Sequence, residues 1–346
     1  MHDIYRMGEH GSIQGLYTEQ GLSRDHKLRQ INNRRHAKAQ GIQRTSDVGK
    51  RMIGIMLMAY GTPNAASDIE AYYTRIMKGR RPSEEQLSRL IHRYSEIGMS
   101  SLLGTTKKQA DLLEIRLKGM GYACKVYVGM KYSEPYIKDA LHDAMEGSIE
   151  RLICVPIAPF YSKIGTESYF NMLHDSIDDL KPHFQISEVK SWNTERGLID
   201  AWIEQIDAIE IEKDCVFVFS AHSLPATEED DLKGYVKQLL LTSDLIAKHF
   251  GNKWCLAFQS AADMPGRWLG PDVKDAMAKL VNAGRKKLAI VPIGFVSDNL
   301  ETSYDIGIEC RNFGSAAGAE VKVAGMPNAS EGIISALANA VIASMR

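Results

Sequence analysis

Leu152-Ile-Cys-Val-Pro-Ile157 returns 136 residues later as Leu288-Ala-Ile-Val-Pro-Ile293. At the same offset upstream, Pro135-Tyr-Ile-Lys-Asp-Ala140 matches Pro271-Asp-Val-Lys-Asp-Ala276. Each copy opens with apolar residues at helical spacing: Ile137, Leu141 and Met145, then Val273, Met277 and Leu280. A glycine, Gly147 or Gly284, marks a turn before the apolar run. A continuous apolar run suits a strand buried on both faces, as in a parallel sheet covered by helices. Two elements matching without a gap predict a duplicated α/β unit.

Working outward, Ile53–Ala59, Cys124–Val128, Ile186–Val189, Cys215–Ser220, Cys255–Phe258 and Val321–Ala324 read as further short strands. They alternate with helical patterns, so the expected fold is α/β with two similar doubly wound, Rossmann-like domains. We place the first domain at 52–165 with a returning C-terminal helix at 330–346, and the second at 166–329.

The chain has 346 residues, with 44% hydrophobic and 25% charged, the balance of a globular enzyme. A net charge of −1 offers no field to attract nucleic acid. The five cysteines are scattered, with no C-x-x-C pair, which favours a reducing compartment such as the cytoplasm. No apolar run reaches the roughly 20 residues of a membrane span. Residues 1–51 hold ten Lys or Arg, five Asp or Glu and no apolar core segment, and read as a disordered extension. A natural start at Met52 is the other reading of that stretch.

Ligands of open parallel sheets bind beyond the carboxyl ends of the strands. Four polar segments follow apolar strands there: Tyr60-Gly-Thr-Pro63, Pro159-Phe-Tyr-Ser162, Ser220-Ala-His-Ser-Leu-Pro225 and Ser297-Asp-Asn-Leu-Glu301. His222 could serve as base or metal ligand. It could equally bond loop backbone. Glu301, Asp305 and Glu309 would share one face of an α-helix, a column of acids suited to cations or protons. Alternatively, Asp298 and Glu301 form a capping box and the other two acids line a wet face. Tyr60 could offer an oxygen ligand or pack at its strand end. No G-x-G-x-x-G or P-loop supports a nucleotide, and no H-E-x-x-H supports a hydrolytic metal.

Met58-Ala-Tyr-Gly-Thr-Pro63, Tyr127-Val-Gly-Met-Lys131, Ser220-Ala-His-Ser-Leu-Pro225, Trp268-Leu-Gly-Pro271 and Pro292-Ile-Gly-Phe-Val-Ser-Asp-Asn-Leu-Glu301 resemble the signature segments of ferrochelatases, in order. The resemblance runs from about Ile53 to the C-terminus. It implies the chelatase fold of two parallel four-stranded sheets, and insertion of Fe²⁺ into a porphyrin. It implies that His222 and Glu301 are catalytic and metal-binding, facing each other across the porphyrin cleft from separate halves. Tyr60 would be axial to the product iron, and Asp305 and Glu309 would lie on a metal or proton path. Arg93, Tyr94, Ser101 and Tyr169 match porphyrin-contacting positions, with Arg93 the leading carboxylate anchor; Tyr60 is also read as porphyrin-binding, and Lys131, like Lys78, Arg80 and Arg81, as a weaker anchor that could instead be solvated.

Tyr in Ala59-Tyr-Gly-Thr-Pro63 is similar to the type that acts on coproporphyrin III to give coproheme; protoporphyrin-type enzymes usually have Met in that segment. The implied partners are porphyrin and Fe²⁺ as substrates, with no prosthetic group, and peripheral contact with other haem-pathway enzymes by a monomer. Departures are Gly98-Met-Ser-Ser-Leu102 in place of G-G-x-S-P, Met77 in place of Arg, and Asn299 in place of His. A protoporphyrin IX substrate and a non-catalytic haem or porphyrin carrier are the other readings.

Overall fold

Among the described residues, eight strands divide into two parallel sheets of four. Strands β1 (Met52–Ala59), β2 (Cys124–Met130), β3 (Ile149–Pro156) and β4 (Gln185–Glu188) lie in the order β2-β1-β3-β4. Strands β5 (Val216–His222), β6 (Trp254–Gln259), β7 (Lys287–Val291) and β8 (Glu320–Val323) lie in the order β6-β5-β7-β8. The structure, a computed structural model, describes residues 52–346 other than 226–228 and 262–266, and not the side chains of 229–231. The expectation for residues 1–51 lies outside the described residues.

Both sheets sit within one compact unit, and their strand orders repeat as the sequence duplication requires. The repeated helices, Ile137–Glu146 and Val273–Asn282, keep the offset of 136 residues. Each is entered alike: Met130 N–H donates to the Pro135 carbonyl at 2.7 Å, and Phe258 N–H to that of Pro271 at 2.8 Å. The central strands are buried on both faces, with Ile55, Met56, Leu57, Met58, Phe217, Val218 and Phe219 all at 0% exposure. One core packs Met56, Leu152 and Cys154 against Ile137, Leu141 and Phe170. The other packs Val218, Ala257 and Ile290 against Val273, Met277 and Ile306. Among the described residues, no helix is long and apolar enough to cross a membrane.

The expected boundary between residues 165 and 166 is corrected by the sheet pairing. Helix Glu167–Leu180 leads into β4, which pairs with β3 from Arg151↔Gln185 to Cys154↔Glu188. A β3–helix–β4 crossover returns the chain to the same sheet, so the first unit runs past residue 188. The C-terminal helix Glu331–Ser344 packs on helices Leu102–Gly119 and Arg196–Asp207 and on β3. Gly197 permits that docking, because a Cβ there would stand 2.3 Å from the Gly332 carbonyl oxygen.

Two features place the carboxyl end of β5. Gly294 N–H donates to the Ser220 carbonyl at 3.0 Å, laying the chain after β7 against the end of β5. A Cβ on Gly294 would stand 2.7 Å from Ala221 Cα and 2.8 Å from its Cβ. Backbone cannot yield as a flexible side chain can, so Gly294→Ala is expected to shift residues 221–222. We expect a stability loss of about 1–3 kcal/mol by thermal unfolding. Since a misplacement of about 1 Å can cost on the order of 10²-fold in rate, any activity that uses His222 should also slow. Unchanged melting and turnover would contradict this packing.

Candidate active site

His222 is the last residue of β5 rather than a loop residue, because the strand stays paired to β6 through His222↔Gln259. Its surroundings fix it from several sides. Nδ1 meets the Ser223 carbonyl at 2.5 Å, and the Tyr235 hydroxyl donates to the His222 carbonyl at 3.4 Å. Ser223 N–H donates to the Gln259 carbonyl at 2.8 Å, and its hydroxyl to that of Leu269 at 2.8 Å. The remaining ring nitrogen, Nε2, points at Glu301 Oε1 at 3.3 Å.

Glu301 opens a ten-residue π-helix, Glu301–Cys310, rather than an α-helix. Such helices are rare and cluster at functional sites. The helix is anchored by Ile306 and Cys310, which are buried against the second sheet. The expected Asp298–Glu301 capping box does not form. Asn299 Oδ1 accepts from Glu301 N–H at 2.9 Å and Thr302 N–H at 3.1 Å, while Thr302 Oγ1 accepts from Asn299 N–H at 3.0 Å. Asp298 is held elsewhere, receiving the Asn328 amide at 2.6 Å. With its helix end already capped, the Glu301 carboxylate is free to turn to His222.

The pair therefore stands on one wall. Both belong to the second sheet's half, His222 at the end of β5 and Glu301 at the start of the π-helix that follows the adjacent β7, which corrects the expectation that they face each other across a cleft from separate halves. No macrocycle fits between groups in such contact. The first sheet's half brings Tyr60 and Tyr169 near enough for the Glu301 charge to act on both phenols. Tyr60, following β1, meets the Tyr132 ring edge-on at 4.8 Å between centroids. The Lys131 ammonium, following β2, lies 5.7, 4.8 and 5.5 Å from the ring centres of Tyr60, Tyr132 and Tyr169. It donates to Ser168 Oγ at 2.7 Å. Among the described residues, no carboxylate pairs with it.

The His222 and Glu301 side chains keep 36% and 28% of their surface open to solvent. Burial draws the His222 imidazole down, but the Glu301 charge, its hydrogen bond and the Ser223 carbonyl outweigh this and push it up to about 9. Burial opposes ionisation of Glu301, and the His222 charge and hydrogen bond, with Arg93, bring it below the usual carboxylate range. The empty pair is thus imidazolium and carboxylate near neutral pH. Burial, then the charges of Tyr132 and Glu301, hold the Tyr60 phenol well above its ordinary value, so it presents a neutral hydroxyl. Burial, then Lys78, lowers the Lys131 ammonium to about 8.

Other expected residues are placed less simply. Helix Glu84–Ile97, capped by Ser83 and Gln86, carries Arg93 to an ion pair with Asp305. The guanidinium also lies 5.3 Å over the Tyr304 ring. Arg93 thus bridges to the π-helix rather than standing free as an anchor. Asp305 also accepts from Ser260 at 2.5 Å. Burial raises Asp305, ahead of the lowering by Arg93. Glu309 pairs with Lys274 at 2.9 Å, so neither acid of the expected path is without a cation. Tyr94 is only 3% exposed and is held by Thr62 and Tyr72 beneath the Tyr60 turn. Ser101 is exposed at the start of helix Leu102–Gly119. Tyr132, Ser168 and Ser260 were not among the expected site residues. Ser260 follows an apolar strand as the four chosen segments do, and the same rule would have found it.

The Ferrochelatase family model matches residues 52–345. The chain is 37% identical over 311 residues to the coproporphyrin III ferrochelatase of Anoxybacillus flavithermus, covering 86% of this chain and 98% of that one. It is 36% identical over 301 residues to the coproporphyrin III ferrochelatase of Halalkalibacterium halodurans, covering 84% and 97%. In fold it is similar to SirB from Bacillus subtilis with Fe³⁺, at a TM-score of 0.55 and 14% identity over 85% of this chain and 95% of that one. The sirohydrochlorin chelatase SirB from Bacillus subtilis subspecies spizizenii, in complex with cobalt, gives 0.54 at 11% identity, over 85% and 95%. Two duplicated parallel sheets are thus the chelatase architecture, and the chain belongs to the ferrochelatase family.

Proposed function

We propose that the protein inserts Fe²⁺ into coproporphyrin III, with the porphyrin lying between the His222–Glu301 wall and the Tyr60–Lys131 wall. The observation that carries this reading is the contact of His222 Nε2 with Glu301 Oε1 at 3.3 Å beside that tyrosine-lined cationic surface. The substrate class follows the names of the relatives above, and four carboxylates suit a free ammonium such as Lys131. Iron enters as substrate, not as a resident cofactor.

A free-base porphyrin carries two N–H protons in the plane that iron must enter. Both leave as the metal goes in. The enzyme must favour a bent ring over a flat one, so distant contacts sustain the distortion. Imidazole and carboxylate together suit Fe²⁺ by ligand type. Because the imidazolium must first give up its proton, capture of a pyrrole proton or of iron at His222 is coupled to proton release. The neutral Tyr60 hydroxyl on the facing wall is the group placed to approach the metal from the other side.

His222→Ala is expected to lower kcat for iron insertion by roughly 10²–10⁴-fold, while coproporphyrin binding, followed by its absorption shift, stays close to wild type. Near-normal insertion by that variant would refute the role given to His222. Coproporphyrin III and protoporphyrin IX assayed side by side should give the higher kcat/KM for the tetracarboxylate; the reverse order would make the dicarboxylate the substrate.

Lys131 gives a pH dependence with a definite sign. Its ammonium form, the one that attracts a carboxylate, prevails below about 8 and is lost as pH rises through that value. Coproporphyrin affinity should therefore fall across that range, by about tenfold for one charge-assisted hydrogen bond. Lys131→Met should remove the step. Identical pH curves for the two proteins would contradict Lys131 as an anchor.

A further inference from the structure

Four buried polar atoms have no hydrogen-bond partner among the described protein groups and fall in one region: Ser220 Oγ, Gln259 Oε1 and Nε2, and Glu301 Oε2. Ser220 is 0% exposed and Gln259 2%. Buried polar groups in native proteins are almost always bonded, so a cluster of unbonded ones implies a bound molecule.

Register and periodicity bring them together. Val216 and Val218 face the core that contains Ile306 and Cys310 of the π-helix. By alternation along β5, Ser220 and His222 continue that face toward the carboxyl end. On β6, Ala257 belongs to the same core, so Gln259 lies above it on the same face. The pairings Ser220↔Ala257 and His222↔Gln259 set these residues side by side. Glu301 closes the column from the start of the π-helix, through its contact with His222 at 3.3 Å. Gln259 is thus the lateral neighbour of His222, and the mechanism above does not use its side chain.

We propose that Ser220, Gln259 and Glu301 hold an internal water site behind His222, and that Gln259 is a positioning residue for iron insertion acting through it. The donor inventory selects water over a metal ion. An amide offers two N–H donors and an oxygen acceptor, a hydroxyl offers both, and a carboxylate accepts. A cation would take the oxygens and leave the amide N–H groups without acceptors. A water accepts from the amide and donates to Glu301 Oε2, which holds Oε1 on His222. Such internal waters make about three hydrogen bonds and are costly to remove. The water site is a structural statement; the effect on turnover rests on the iron-insertion reading above.

Two arms test this. A crystal structure of the full chain at about 2 Å or better, without porphyrin or iron, is expected to show an ordered water. It should lie within hydrogen-bond reach of the Gln259 amide and of Ser220 Oγ or Glu301 Oε2. Direct bonds among these side chains, with nothing between them, would overturn the site whatever the protein's activity. In the second arm, Gln259→Met keeps length and removes the polar atoms. Iron-insertion kcat should fall by about tenfold, the loss of one hydrogen bond's effect, with porphyrin KM unchanged. Were the amide simply unpaired, the apolar replacement would raise the melting temperature and leave kcat alone. That result, or a change in KM in place of kcat, would overturn the positioning role. Ser220→Ala, a smaller change, repeats the test with the same expectations should the first variant not fold. A wild-type protein that inserts no iron would defeat the parent reading, while the crystallographic arm would still decide the water.

Discussion

An imidazolium and a carboxylate stand 3.3 Å apart at the mouth of the second sheet, and the rest of the site is arranged around them. A partly buried charge pair is a poor device for stability, because desolvation of both ions offsets their attraction. Its value here is chemical. Each partner holds the other in its charged form, and the charge can be surrendered when a metal or a proton arrives. A His without the carboxylate would be drawn down by burial, and the carboxylate without the His would be drawn up.

Local folding frees this pair to meet. The helix that follows β7 is capped by Asn299 and Thr302, which leaves Glu301 without a capping duty. Glu301, at the start of that helix, meets His222, while Asp305 pairs with Arg93. On the far side, Lys131 and three tyrosine rings make a surface that is apolar in its faces and cationic at its centre, a match for a flat anionic ring. The Arg93–Asp305 pair ties helix Glu84–Ile97 to the π-helix, so the two walls are linked by charge as well as by backbone.

The duplication was legible because fully buried parallel strands leave unbroken apolar runs, as at Leu152–Ile157 and Leu288–Ile293. The boundary was misread because β4, Gln185–Glu188, is a short, partly exposed edge strand with a polar sequence, so nothing in it announces membership of the first sheet. His222 and Glu301 were found through the ferrochelatase motifs, and strand-end position alone left both open. Their contact on one wall could not be read, since it depends on the adjacency of β5 and β7 and on the Asn299 cap that leaves Glu301 free. The cap was misassigned for a similar reason. Asp298 and Asn299 are equally able to cap, and a distant residue, Asn328, decides between them by bonding Asp298. Arg93 was read as an anchor for the porphyrin's carboxylates; its partner in the structure, Asp305, lies 212 residues away and no local pattern points to it.

The central claim is that His222 and Glu301 act as one unit in iron insertion. A double-mutant cycle on single-turnover insertion rates, with His222→Ala, Glu301→Ala and the double variant, tests it most directly. The account predicts strong non-additivity, the double variant inserting iron no more slowly than the worse single one. Losses that simply multiply, or a single variant that keeps the wild-type rate, would contradict it.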